Sequence, residues 1–253
     1  MRRNAIKHAL EEGRSAYGTF VYSPDPGICE VIGAAGFDFV VIDTEHASLD
    51  RRDVENLIRA ADARGITALV RVTEQEQVSP SLDAGAGGIV IPHIGPDDRS
   101  RVLAASIRYQ PQGTRGACTG SRAVDYGLAD FASYVAEANR ELWLLGQIED
   151  ASAVESVDTV LALPGLDAVL PGPSDLAADF GVPGQLEHPL VREALESIAA
   201  ACARTGVTLA AYVTSAAAGR EWRARGAGLI VCSIDYKVLA GAYAALAREL
   251  RDA

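Results

Sequence analysis

Short apolar runs rich in β-formers recur along this chain, with stretches of helical periodicity between them, the pattern of successive strand–helix units. Eight such runs are found: Thr19 to Tyr22, Phe37 to Asp43, Ala68 to Val72, Gly88 to Pro92, Trp143 to Glu149, Ala168 to Pro171, Thr208 to Val213 and Leu229 to Ser233. Helix punctuation falls between them. Asp50 is placed to cap a helix from Arg51 to Ala63 that Gly65 stops, and Pro96 to open one running to Arg108, with Asp97 and Asp98 at its positive end. Eight strands alternating with helices predict α/β architecture: a (β/α)₈ TIM barrel, one domain over 1–253.

The link between the fourth and fifth runs is unusually long and holds a second helix, from about Leu128 to Asn139. A connection of that length is expected to be a lid, an interface arm or a plain surface excursion. Neither repeats nor a Pro/Ser-rich linker mark a domain boundary.

Strands buried in a parallel sheet are hydrophobic on both faces, so their first polar residues mark where they surface, and ligands sit at those C-terminal ends. Here the ends carry Asp43 with His46, Arg71, Gln147 with Glu149, and Asp175 after a Pro171-Gly172-Pro173-Ser174 turn. Glu149 and Asp175 follow neighbouring strands and make an all-oxygen pair suited to a hard divalent cation, Mg²⁺ or Mn²⁺ foremost, with Co²⁺ or Zn²⁺ as alternatives. Either carboxylate could instead cap a helix or pair with an arginine. Asp43 is spaced so that a tight turn brings it onto one nitrogen of His46, leaving the other to take a proton; an Asp-x-x-His turn whose acid bonds backbone amides is equally common. Arg71 needs an anion if buried, and its planar fork fits a substrate carboxylate, a salt bridge to Glu149 or Asp43 being the plainer role. Gly172 permits close backbone approach, and amides near Ser174 could meet a carboxylate. His93 is a second histidine for the mouth or a structural one, while His8 and His188 fall in polar surface segments.

Composition narrows the classes. A net charge of −11 opposes nucleic-acid binding, and no apolar run is long enough to span a bilayer. The basic Met1 to Lys7 run is followed by Glu11 and Glu12 rather than an apolar leader, so a cytoplasmic protein is expected. Four scattered cysteines form no metal or disulfide pattern. Lys7 and Lys237 are the only lysines, one in a polar N-terminal helix and one past the last strand, which disfavours Schiff-base chemistry.

In order, Phe37-Asp38-Phe39-Val40-Val41-Ile42-Asp43-Thr44-Glu45-His46, Leu82 to Pro92, Gly113-Thr114-Arg115-Gly116, Gln147-Ile148-Glu149 and Gly172-Pro173-Ser174-Asp175-Leu176 resemble the HpcH/HpaI aldolase family, of the 4-hydroxy-2-oxoheptanedioate aldolase kind. The likeness continues through His188-Pro189 and Gly226-Ala227-Gly228 to Ser233-Ile234-Asp235. It implies a class II, metal-dependent pyruvate aldolase, a homo-hexamer built from dimers that exchange a C-terminal helix. By matching motif, Glu149 and Asp175 resemble the metal ligands, His46 with Asp43 the acid/base dyad, and Arg71 the group that holds pyruvate and its enolate. Gln147, Gly172, Pro173 and Ser174 resemble substrate-positioning groups. The small-molecule partners implied are a 2-oxo acid, pyruvate or hydroxypyruvate, and an aldehyde. Val72 to Gln77 and Ala123 to Gly127 are more acidic than the family pattern, which bears on the aldehyde half. Related enolate chemistry (oxaloacetate decarboxylation, CoA-thioester cleavage) and a catalytically silent binding barrel are the rival readings.

Overall fold

The computed structural model describes residues 3–252; Met1 and Arg2 of the basic N-terminal run, and Ala253, lie outside the described residues. Eight parallel strands close into a barrel in sequence order: β1 (Ala16–Val21), β2 (Phe39–Asp43), β3 (Thr67–Arg71), β4 (Gly88–Ile91), β5 (Trp143–Ile148), β6 (Ala168–Pro171), β7 (Thr208–Val213) and β8 (Leu229–Ile234). The expected (β/α)₈ barrel is therefore the fold.

Two apolar layers hold it together. One lies between strands and helices; the other fills the barrel with Phe20, Phe39, Val41, Leu69, Val90, Trp143, Leu145, Leu170, Ala210 and Val231. Side chains alternate along a strand, so the inward stripe of each strand can be followed past its packed part. Phe39 and Val41 lead to Asp43, Leu69 to Arg71, Trp143 and Leu145 to Gln147 and Glu149, Ala168 and Leu170 to Gly172, and Phe20 to Tyr22. The polar residues at the C-terminal mouth thus continue the stripes that build the core.

Helix boundaries follow their caps. Asp50 caps Arg51–Ala63 through a reciprocal bond pair with Asp53. The helix expected from Pro96 is shorter, Asp98–Ala105, because the Asp97 carboxylate accepts the Ser100 N–H and so fixes its start. The helix expected from Leu128 begins at Phe131, where Asp130 caps it. The long connection is not a lid over its own barrel mouth. Arg122, Ala123, Asp125 and Tyr126 line a cavity of about 390 Å³ with Asn4, Thr67 and Gly87, at the N-terminal ends of the strands, and Arg122 donates there to Asp62 and to the Ala84 carbonyl.

The last helix, Asp235–Arg251, buries only Asp235 among its described residues and leaves Tyr243 and Leu250 about 70% exposed. A cavity of about 300 Å³ between β7, β8 and the helix Ala216–Ala224 is lined by Phe37, Val213, Gly219, Ile230 and Cys232.

Candidate active site

A cavity of about 170 Å³ at the C-terminal mouth gathers His46, Arg71, Gln147, Glu149, Gly172, Pro173, Ser174 and Asp175. Asp43, bonded to Arg71, is wholly buried. This cavity is smaller than the one at the opposite end, but the strands' polar termini converge into it.

Register sets the first contact. Asp43 on β2 lies directly across from Arg71 on β3. Arg71 Nε donates to Asp43 Oδ1 at 3.0 Å, and Nη2 pairs with Oδ2. Asp43 Oδ1 also accepts the backbone N–H groups of Glu45 (2.9 Å) and His46 (3.2 Å). Burial alone would raise the Asp43 carboxyl, but Arg71 and these amides outweigh it and hold it below the ordinary carboxylate value. Burial likewise works against the Arg71 guanidinium, and Asp43 more than offsets it.

Two expectations are corrected by this geometry. Asp43 does not carry the His46 imidazole; it bonds that residue's amide, the turn arrangement. His46 projects 57% exposed, with Nε2 3.8 Å from Glu45 Oε2. The fork of Arg71 is closed by Asp43, so it offers a substrate charge and its remaining N–H rather than a free bidentate edge. Its Nη1 donates to Gln147 Oε1 at 3.2 Å and lies 3.2 Å from Glu45 Oε2, and the guanidinium sits 4.8 Å from the centre of the Phe20 ring.

Glu149 follows β5 and is 3% exposed. Its Oε1 accepts from Gln147 Nε2 at 2.7 Å and its Oε2 from the His93 N–H at 3.0 Å. Burial, with the charge of Asp175 added, pushes this carboxyl up to about 7 against the His93 and Arg71 contributions. Asp175 belongs not to β6 but to the first turn of the helix Pro173–Asp179. A Cβ on Gly172 would stand 2.5 Å from Glu149 Cγ, so only glycine lets the turn approach this closely.

A hard cation fits these donors. Glu149 is a buried anion that burial destabilises, a second carboxylate deepens the penalty, and the Gln147 oxygen is already committed to Arg71. No group of three or more His, Cys, Asp or Glu among the described residues makes a complete metal cage. Glu149 and Asp175, which line the same cavity, are the two oxygen donors that could hold such an ion.

Several participants carry weaker sequence signals. Glu45 bridges Arg71 and His46 from within the quoted strand-end motif. Tyr22 continues the inward stripe of β1, and burial with the Asp43 charge pushes its phenol up to about 12, which keeps it a donor. Lys237, expected to be remote, lines the mouth because the last helix starts directly from β8. His93 sits beside Asp150; burial pulls its imidazolium down, but Glu149 and Asp150 outweigh that and raise it.

The profile of the HpcH/HpaI aldolase/citrate lyase family matches residues 16–242. A hydroxypyruvate/pyruvate aldolase of Roseovarius nubinhibens is 33% identical over 239 residues, covering 94% of this chain and 93% of that protein. The crystal structure of an HpcH/HpaI aldolase from Desulfitobacterium hafniense superposes with a TM-score of 0.91 at 34% identity, covering 98% of this chain and 96% of the other. The citrate synthase SbnG gives a TM-score of 0.87 at 32% identity, with 97% of each chain covered. With a match over nearly its whole length and the same barrel, the chain belongs to the HpcH/HpaI aldolase/citrate lyase family.

Proposed function

We propose that this protein is a divalent-metal-dependent aldolase that cleaves 4-hydroxy-2-oxo acids to pyruvate or hydroxypyruvate and an aldehyde, and joins them in reverse. The observation that carries the reading is Glu149, a buried carboxylate pushed up to about 7, sharing one small cavity with Asp175 and Arg71. Mg²⁺ or Mn²⁺, with Co²⁺ or Zn²⁺ as alternatives, would be held by Glu149 and Asp175 and would supply Lewis-acid polarisation of the keto oxygen.

The chain's own groups do the rest. Arg71, locked by Asp43, presents a fixed positive charge toward the 2-oxo acid and the enolate that it becomes. Gln147 donates to Glu149 and receives from Arg71, so it sets the spacing between the two charged groups. The Gly172 to Ser174 turn walls the oxo-acid half. His46, unencumbered by Asp43, is the residue at the cavity placed to take the C4 hydroxyl proton; the C3–C4 bond then breaks, the aldehyde leaves, and its electron pair forms the enolate, which gains a proton at C3.

A second reading on the same groups is related enolate chemistry, such as oxaloacetate decarboxylation or CoA-thioester cleavage; the likeness to a citrate synthase supports it only in that a similar barrel carries a reaction other than an aldolase's. For assembly, the exposed apolar side of Asp235–Arg251, together with the apolar cavity outside β7 and β8, favours exchange of this helix between copies, in a hexamer built from dimers. Four free cysteines, and no described helix long and apolar enough to cross a membrane, favour a cytoplasmic enzyme.

The deciding experiment supplies pyruvate or hydroxypyruvate with a panel of aldehydes, with and without Mg²⁺ or Mn²⁺. Chelator-sensitive adduct formation supports the aldolase. Covalent trapping of pyruvate on Lys237 by borohydride would overturn the metal mechanism.

A further inference from the structure

His93 holds a left-handed backbone, φ +50°, one of four non-glycine residues to do so among those described. That region crowds Cβ against the following carbonyl, so it persists only where surrounding contacts hold it. Here the conformation has a target. It aims the His93 N–H at Glu149 Oε2 (3.0 Å), while the next amide, Ile94, donates to the Gln147 carbonyl at 2.9 Å. The chain leaving β4 is thereby tied across the end of β5. The imidazole closes the arrangement, with Nδ1 3.2 Å from both oxygens of Asp150 and 3.8 Å from Glu149 Oε2. With Gln147 on Oε1, both oxygens of Glu149 are located, and each keeps lone-pair capacity for another partner.

We infer that His93 is a positioning residue for cation capture: its imidazole, gripped by Asp150, holds the left-handed backbone whose N–H fixes the Glu149 carboxylate before a metal arrives. The inference rests on the metal reading above. A carboxylate already located loses less freedom on binding than a rotating one, and partners of this kind typically change metal affinity by about 10- to 100-fold.

The test is Mn²⁺ binding to the full chain without substrate, followed by electron paramagnetic resonance of the free ion. His93→Ala and Asp150→Ala are each expected to raise the Kd at least about tenfold. The double variant should be no weaker than the worse single one, since both changes break one device. His93→Asn should recover part of the affinity, because asparagine tolerates left-handed φ, whereas His93→Val should not. Unchanged Mn²⁺ affinity in both folded alanine variants, checked by circular dichroism, overturns the inference; if His93→Ala does not fold, Asp150→Ala carries the test. Wild-type protein that binds no Mn²⁺ overturns the metal reading itself, and this inference with it.

Discussion

Asp43 and Arg71 meet side by side on adjacent strands as a two-contact ion pair with almost no solvent access. Removing one partner of such a pair leaves a buried charge unmatched, at about 3–5 kcal/mol. Asp43→Asn should lower the melting temperature accordingly and reduce kcat/KM by loosening Arg71. An unchanged melting temperature and kcat/KM would show that Arg71 keeps its place without Asp43.

His46 should matter only where a hydroxyl proton moves. Loss of a positioned general base typically costs about 10²–10⁴-fold, so His46→Ala should lose aldol cleavage on that scale. Decarboxylation of oxaloacetate, which needs no C4 hydroxyl proton removed, should survive in the same preparation. Equal loss of both activities would place the imidazole in enolate stabilisation instead.

For Glu149 the sign of the pH effect is determinate. Its folded value, about 7, lies above the ordinary 4.5. The carboxyl's contribution to metal-free stability is therefore complete below about pH 4.5 and lost as pH rises through about 7. A divalent cation competes with that proton. Thermal stabilisation by Mg²⁺ or Mn²⁺ should be small at pH 5.5 and grow toward pH 8. In Glu149→Gln both effects should vanish, leaving the metal-free variant more stable than wild type at pH 8 by differential scanning fluorimetry.

Gly172→Ala tests close approach. The added methyl would meet Glu149 Cγ at 2.5 Å, on a residue whose φ is otherwise ordinary for alanine. The variant should fold, but bind Mn²⁺ more weakly and lose turnover. Normal metal affinity would show that Glu149 has room to move aside.

The last helix offers a fifth check. Leu246→Glu, on its exposed apolar side, should shift the protein to smaller assemblies in size-exclusion chromatography with light scattering. An unchanged mass would assign that side some other cover.

What could be read in the chain follows from how each feature is encoded. Eight strands were visible because buried parallel strands are apolar on both faces and end abruptly at residues such as Asp43, Arg71 and Glu149. Convergence of those termini follows from the alternation of side chains. Partner choice does not: the Asp43 carboxylate was as well placed by spacing for an imidazole as for amides, and only register against Arg71 decided it. Lys237, past the last strand in sequence, reaches the mouth because a helix starts there without a loop, which spacing alone does not reveal. His93 carried no local mark of its left-handed backbone, which depends on Glu149 and Asp150 far along the chain.

The odd–even rhythm that carries each packed stripe out into the mouth also limits how this barrel can change. Deleting or adding one residue within β2, β3 or β5 would turn its reactive terminus toward the surrounding helices and bring an outward apolar group into the mouth. New chemistry is therefore reached by exchanging side chains at fixed rungs or by rebuilding loops, while the ladder beneath keeps its count.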